Sequence, residues 1–323
     1  MAPPRPVISV LGSLNIDLVS YVPHHPLPGE TITASQFHVF PGGKGANQAV
    51  ACAKLSRSST LSESTVDVVM IGAVGADAYG PVLLDSLKSY GVETSWIAIN
   101  QEDSAESKTG IAIIIVDEPS GQNRIILSPG ANASLRPVQF SQLPGPTPAL
   151  LIMQLEVPLD TVIEALRTAQ KTGTAVLLNP APAQKLPAEA YQGLAHLILN
   201  ESEAALLSDV EESDLEDFVT VERIAAQFLA RGVQNVVITL GGRGAYYMNN
   251  AGKALVPAIK VDVVDTTAAG DTFIGAYAIR AVDAVARSEK FDIDGAARQS
   301  IMASSRTVST KGAQVSIPWK DEL

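Results

Sequence analysis

Short apolar runs alternate with stretches of helical period along almost the whole chain, and that alternation restricts the fold more than any other feature. Residues 7–11, 66–71, 150–155, 175–178, 196–199 and 235–240 read as buried strands. Residues 45–55, 79–90, 159–172 and 221–231 lie among them and read as helices. Strands that alternate with helices imply βαβ units and a largely parallel sheet covered on both faces. With 323 residues, 46% of them apolar, the chain can bury a full α/β core as one large domain or a domain plus an appendage.

Two regions break the rhythm. Residues of about 18–41 and 94–128 read as extended pieces joined by turns, with apolar runs at 111–116 and 124–127, and suggest a small β flap laid over the main sheet. Residues 56–65 form a polar, serine-rich loop, expected to be a mobile and tolerated insertion. No internal repeat is visible.

A net charge of −11 argues against nucleic acid and against an anionic membrane surface as partners. The acidic run at 211–217 reads as a solvated loop or a helix start. The single cysteine, Cys52, excludes an internal disulfide and a Cys-based zinc site, and its apolar helical surroundings predict a packed thiol. The four histidines, His24, His25, His38 and His196, lack metal-ligand spacing. No run reaches the 18 apolar residues or so that a membrane-spanning helix needs. The last four residues, Lys320-Asp321-Glu322-Leu323, spell a lumenal retrieval signal. The N-terminal stretch has no hydrophobic signal core, so the tail is read as coincidence and the cytoplasm, with the nucleus as a further site, is the expected compartment.

Two glycine-rich helix starts carry the chemistry. Asp265-Thr266-Thr267-Ala268-Ala269-Gly270-Asp271-Thr272-Phe273 sets two carboxylates around a small-residue turn that leads into an apolar helix. Unpaired amides at such a start suit a phosphate or the charge on a phosphoryl group in transfer, and Asp271 can accept the proton of an attacking alcohol. By itself the segment reads equally as a turn with an aspartate cap. Pro41-Gly42-Gly43-Lys44-Gly45-Ala46-Asn47-Gln48-Ala49 is the second start. It is not a Walker A loop, because Gly45 follows the lysine, and no dinucleotide fingerprint occurs. It brings main chain, a cation and a carboxamide to a ligand, or else is only a tight connection that needs glycine.

Ligands of open parallel sheets bind beyond the carboxyl ends of the strands. The residues that follow the apolar runs are Asn15 and Asp17, Glu156, Asn179, Asn200, and Thr239 with Gly241-Gly242. An edge rich in carboxamides and carboxylates suits a polyol beside a phosphate donor.

These segments, with Gly12-Ser13-Leu14-Asn15-Ile16-Asp17, resemble the two signatures of the ribokinase (PfkB-type) carbohydrate kinases. Met153-Gln154-Leu155-Glu156, Asn179-Pro180-Ala181-Pro182-Ala183, Asn200-Glu201-Ser202-Glu203 and Lys311-Gly312-Ala313-Gln314 resemble its ribose-specific branch. The likeness runs from about residue 7 to 319. It implies a single ribokinase-like α/β domain over 1–323, with a central, mostly parallel sheet flanked by helices. A small β-sheet lid, from segments of about 18–41 and 94–128, would pair two subunits as a homodimer. The implied reaction is ATP-dependent phosphorylation of D-ribose at O5, with Mg²⁺ and K⁺ as cofactors.

Carried onto this chain, the resemblance makes Asp271 the general base and Ala268, Ala269, Gly270 and Asp271 the anion hole. Asn15, Asp17, Gly43, Lys44, Asn47 and Glu156 would hold the sugar. Asn200, Thr239, Gly241, Gly242, Gly244 and Gly270 would serve ATP, and Glu203 would place Mg²⁺ through waters. Asp265, Thr267, Thr307, Thr310, Gly312 and Ser316 would surround potassium. Thr310 departs from the arginine frequent before the lysine, and the helix at 299–306 lacks a histidine sometimes found near adenine. A sibling kinase acting on a nucleoside, fructose or a sugar acid is the alternative, and a sugar-binding regulator without catalysis a more distant one.

Overall fold

The computed structural model describes residues 5–101 and 107–323. In chain order the strands begin with β1 (Val7–Leu11), β2 (Asn15–Val22), β3 (Gln36–Gly42), β4 (Asp67–Gly75), β5 (Glu93–Asn100), β6 (Gly110–Asp117) and β7 (Asn123–Ser128). They continue with β8 (Leu150–Met153), β9 (Ala175–Leu178), β10 (His196–Leu199), β11 (Asn235–Thr239), β12 (Ala245–Asn249) and β13 (Gly252–Val256). The helices are α1 (Lys44–Leu55), α2 (Tyr79–Ser89), α3 (Leu159–Thr172), α4 (Glu201–Ser208), α5 (Phe218–Ala230), α6 (Ala269–Ala286) and α7 (Ile293–Thr307).

Among the described residues, nine strands form one sheet in the order β13-β12-β11-β10-β9-β8-β1-β4-β5. From β11 to β5 all neighbours are parallel, whereas β12 and β13 form an antiparallel edge. Side chains alternate across a strand, so each strand feeds two cores. Ile8, Val10, Met70, Ile152, Leu177 and Val237 pack with α1, α6 and α7 on one face. Leu11, Val69, Ile71, Leu151, Val176 and Ile238 pack with α3, α4 and α5 on the other. Helices α1 and α6 touch closely, since a Cβ on Gly275 would lie 2.5 Å from that of Ala51. Cys52 is sealed in this layer, where burial pushes its thiol up to about 12, as a packed thiol should behave.

A second sheet, β3-β2-β6-β7, grows directly from the end of interior strand β1, since only Gly12-Ser13-Leu14 separate β1 from β2. That short link places the small sheet over the carboxyl edge of the large one. Its sequence boundary needs correction: Glu93–Asn100, assigned to the flap by its extended pattern, pairs in parallel with β4 as the edge of the large sheet. The hairpin β12–β13 and helix α4 were not anticipated, because each is short. The serine-rich loop is tied down: Ser58, Thr60 and Ser62 bond one another, and Ser59 donates to Asp321 through N and Oγ at 3.0 and 2.9 Å. The acidic run forms a 3₁₀ turn, Glu212–Glu216, and Asp217 then caps α5 by accepting from Val219 N at 3.1 Å. Among the described residues no helix is long and apolar enough to cross a membrane.

Candidate active site

The first half of the site is the turn after β1, docked on the start of α1. Gly43 caps α1 with φ of 90°, and a Cβ there would stand 2.7 Å from Asn15 N, so only glycine permits the approach. Glu156, just beyond β8, accepts with Oε2 from Ser13 Oγ at 2.5 Å, and from Asn15 Nδ2 and Lys44 N at 3.3 Å each. Asn132 braces the turn from behind, donating to Asn15 Oδ1 at 2.8 Å and accepting from Leu14 N at 2.8 Å.

The second half is the start of α6. Ala268 is left-handed, with φ of 60°, and its carbonyl accepts from Thr272 N at 2.8 Å. The amides of the following turn lack intrahelical acceptors and open on the site. Asp271, in that first turn, is buried, and each of its carboxylate oxygens accepts from a carboxamide of α1. Asn47 Nδ2 donates to Oδ2 at 3.2 Å and Gln48 Nε2 to Oδ1 at 3.0 Å.

The halves meet as a cluster of carboxylates around one cation. Burial, with the charges of Glu156 and Asp271 adding to it and Lys44 opposing, raises Asp17 to about 7. Burial also raises Asp271 and Glu203, in each case against the pull of Lys44. For Lys44 burial works to lower the pKa, but Asp271, Glu156, Glu203 and Asp17 outweigh it and hold the ammonium above its ordinary value. The one cation is thus firmly charged, while the acids around it compete for it.

Next to Asp271 lies a recess of about 220 Å³ lined by Lys44, Asn179, Asn200, Glu203, Ala268 and Gly270. Asn200 and Glu203 form a capping box on α4, with Glu203 N donating to Asn200 Oδ1 at 2.8 Å and Asn200 N to Glu203 Oε2 at 2.9 Å. Asn179 Nδ2 adds a bond to that same Oε2 at 3.4 Å, so Oε1 is left for a ligand. Through Thr239, Thr266 and Gly270 the recess continues into a cleft of about 600 Å³. Gly241, Gly242 and Gly244 form one wall of it, and apolar Ile259, Val261, Phe273 and Ile301 another, a shape that takes a flat ring. A third cleft, about 880 Å³, runs under the small sheet from Asp17 past Tyr21 and Phe40 to Lys311.

The expected cation loop is assembled in part. Asp265 Oδ1 accepts from Thr267 N and Oγ1 at 2.9 and 2.6 Å, and Oδ2 from Gly312 N at 2.9 Å. Burial pushes Asp265 upward, but these bonds and the charge of Lys311 overcome it and hold the carboxyl below its usual range. Thr307 Oγ1 is engaged by Thr272 Oγ1 at 2.9 Å, Thr310 N donates to Thr307 O at 3.1 Å, and Ser316 Oγ donates to Ala313 O at 2.8 Å. Among the described residues, no three His, Cys, Asp or Glu side chains gather as a metal site.

Asn15, Asp17, Gly43, Lys44, Asn47, Glu156 and Asp271, scattered over more than 250 residues of sequence, thus meet at one edge, with the nucleotide candidates beside them. Gln48, Gln154, Ser13 and Asn132 complete the polar network and were not singled out. Gln48 and Gln154 sit inside the segments 41–49 and 153–156, whereas Asn132 lies in a 3₁₀ turn with no local signature.

A carboxylate set between a turn lined by carboxamides and carboxylates and an anion-sized recess at a helix start is the layout of a small-molecule kinase. Residues 6–320 match the pfkB family carbohydrate kinases, and the chain belongs to that family. It is 44% identical to ribokinase of Schizosaccharomyces pombe, over 96% of this chain and 94% of that protein. It is 37% identical to ribokinase of Haemophilus influenzae, over 98% and 97%. Ribokinase of Arabidopsis thaliana, solved in complex with ribose and ATP, superposes with a TM-score of 0.81 at 27% identity, covering 99% of this chain and 97% of that one. The expected ribokinase-like α/β fold is the one observed.

Proposed function

We propose that this chain transfers the γ-phosphoryl group of ATP to O5 of D-ribose, giving D-ribose 5-phosphate. The observation that carries the reading is the position of Asp271, fixed by Asn47 and Gln48 between the Asn15–Asp17–Glu156 turn and the recess at the start of α6. The full-length relatives named ribokinase supply the choice of sugar.

Asn15, Asp17, Gly43, Lys44, Asn47 and Glu156 would hold the hydroxyls, and a site built of hydrogen-bonding groups rejects sugars lacking the matching hydroxyl. Triphosphate would lie in the recess against the Ala269, Gly270 and Asp271 amides, with Lys44 and Asn200 beside it, and adenosine between the Gly241–Gly244 segment and Ile301. Phosphoryl transfer through a loose transition state asks mainly for position and charge stabilisation, so a weak base suffices for most of the path. General-base help is worth about 10²–10⁴ in rate. Asp271 Oδ atoms take the hydroxyl proton as the bond to phosphorus forms.

The Oε1 of Glu203, outside the bonds that hold Oε2, suits a water-bridged Mg²⁺, and the oxygens of Asp265, Thr267, Thr307, Thr310, Gly312 and Ser316 would supply the all-oxygen set that suits K⁺. Bound there, the two ions would neutralise phosphate charge and orient the α6 amides.

The test is a panel of ribose, 2-deoxyribose, fructose and nucleosides with ATP, Mg²⁺ and K⁺, scored by coupled ADP release, with the phosphorylated position read by ³¹P NMR. Ribose 5-phosphate is the expected main product. Faster turnover of a nucleoside or of fructose would overturn the choice of sugar, and no turnover of any acceptor would overturn the reaction.

A further inference from the structure

Asp271 is held by two arms, each made of two carboxamides in series. In one, Gln314 Nε2 donates to Asn47 Oδ1 at 3.2 Å, and Asn47 Nδ2 donates to Asp271 Oδ2 at 3.2 Å. In the other, Gln154 Nε2 donates to Gln48 Oε1 at 2.6 Å, and Gln48 Nε2 donates to Asp271 Oδ1 at 3.0 Å. All four carboxamides are buried.

A carboxamide has nearly the same shape either way round, but its two ends are opposite in function. Turned over, Asn47 or Gln48 would present a carbonyl to the carboxylate and repel it. The outer glutamines oppose that alternative by occupying the carbonyl end of each inner residue, and Asn179 Oδ1, which accepts from Gln48 Nε2 at 3.2 Å, adds to this for Gln48. Gln154 Oε1 has no partner, so the use of this residue lies at its donor end. Gln314 is itself oriented: Ser86 Oγ donates to its Oε1 at 3.0 Å, and the Lys54 ammonium donates to its main-chain carbonyl at 3.3 Å. It also lies two residues beyond Gly312, whose amide holds Asp265. The loop at 311–316 is thereby joined to Asp271 by a route separate from the start of α6.

We propose that Gln314 and Gln154 are positioning residues for phosphoryl transfer: they fix which end of Asn47 and Gln48 faces Asp271, and so aim its carboxylate at the acceptor hydroxyl. The proposal rests on the reading of Asp271 as the proton acceptor. Neither glutamine touches substrate, and each acts through its inner partner.

Gln314→Met and Gln154→Met keep length and volume and remove the donor. Each is expected to lower kcat with ribose by about tenfold or more, because small misplacements of a reacting group are costly. KM for ATP should stay within about threefold in both, since neither glutamine nor its inner partner is placed on the nucleotide, and KM for ribose should stay within about threefold in Gln154→Met, whose inner partner Gln48 is not placed on the sugar. In an Asp271→Asn background the same substitutions should cause no further loss, because residues that act through one group are non-additive. Unchanged kcat in Gln314→Met and Gln154→Met, or losses that multiply in the Asp271→Asn background, would overturn the relay. Gln314→Met alone decides the matter if Gln154→Met does not fold. Failure of the underlying reading looks different: wild type would not phosphorylate ribose, or Asp271→Asn would keep its turnover.

Discussion

Gly42 lies so close to Asp17 that a Cβ added to it would stand 2.2 Å from the Asp17 carboxylate oxygen Oδ2. The contact crosses the β2–β3 pairing, where Asp17 lines the cleft under the small sheet. Gly42→Ala should therefore push Asp17 out of place without touching the nucleotide cleft. Hydrogen bonds to a charged group are worth about 1.5–3 kcal/mol, so KM for ribose should rise by about tenfold or more. KM for ATP should change little. Steady-state kinetics with each substrate varied in turn checks both, and an equal rise in both would contradict the local reading.

Asp17 also predicts an unusual pH dependence of stability. Its pKa rises from 3.8 in the unfolded chain to about 7 in the folded one, chiefly through burial. An acid raised on folding favours the native state most below its unfolded value and loses that contribution as pH climbs through the folded value. The side chain thus burdens the free protein fully at pH 8 and only in smaller part at pH 5. Asp17→Asn should raise the melting temperature of the ligand-free protein, by more at pH 8 than at pH 5, while weakening ribose binding. Calorimetry at the two pH values is the check, and a larger gain at pH 5 would reverse the sign.

How far the sequence foretold this site depends on the range of each signal. Strands β1, β9 and β10 and helix α3 were legible to the residue, since a buried parallel strand is a bare apolar run and Gly173 stops α3 in the left-handed region. The strand-end rule located Glu156, Asn179 and Asn200. It could not locate Asn132, Gln154 or Gln48 as partners, because their contacts span more than a hundred residues and leave no local pattern. Glu93–Asn100 was misplaced for a related reason: an exposed edge strand alternates like a flap strand, and only its pairing with β4 tells them apart.

Asp265 makes a prediction about monovalent cations. Its two oxygens tie Thr267 to Gly312, directly before the turn that sets the α6 amides. A potassium ion among the neighbouring oxygens would stiffen that turn, and loss of a single anion-hole donor costs about 10²–10³ in rate. Replacement of potassium by tetramethylammonium at equal ionic strength should therefore lower kcat by about tenfold or more, as partial misalignment of the hole. Asp265→Ala should be slow in both salts and insensitive to the exchange. Equal rates of the wild type in the two salts would refute the site.

The small sheet makes a prediction about assembly. Residues on a strand alternate in direction, so β2 turns Asp17 towards the cleft under the small sheet and Leu18 towards the opposite face. On that opposite face Val39, Leu18, Ile113 and Ile126 are paired in register across all four strands; Leu18 packs against the main core, and Val39, Ile113 and Ile126 are exposed. Exposed apolar side chains on both sides of that anchored position suit burial against a second copy. Ile126→Glu would place a charge in that row and should convert a dimer to a monomer in light scattering, with the fold intact by circular dichroism. Because Asp17 is carried by the same sheet, the monomer should show a ribose KM raised several-fold and an ATP KM nearly unchanged. A wild type that stays monomeric at tens of micromolar would remove the second copy from the account and leave the row to some other partner.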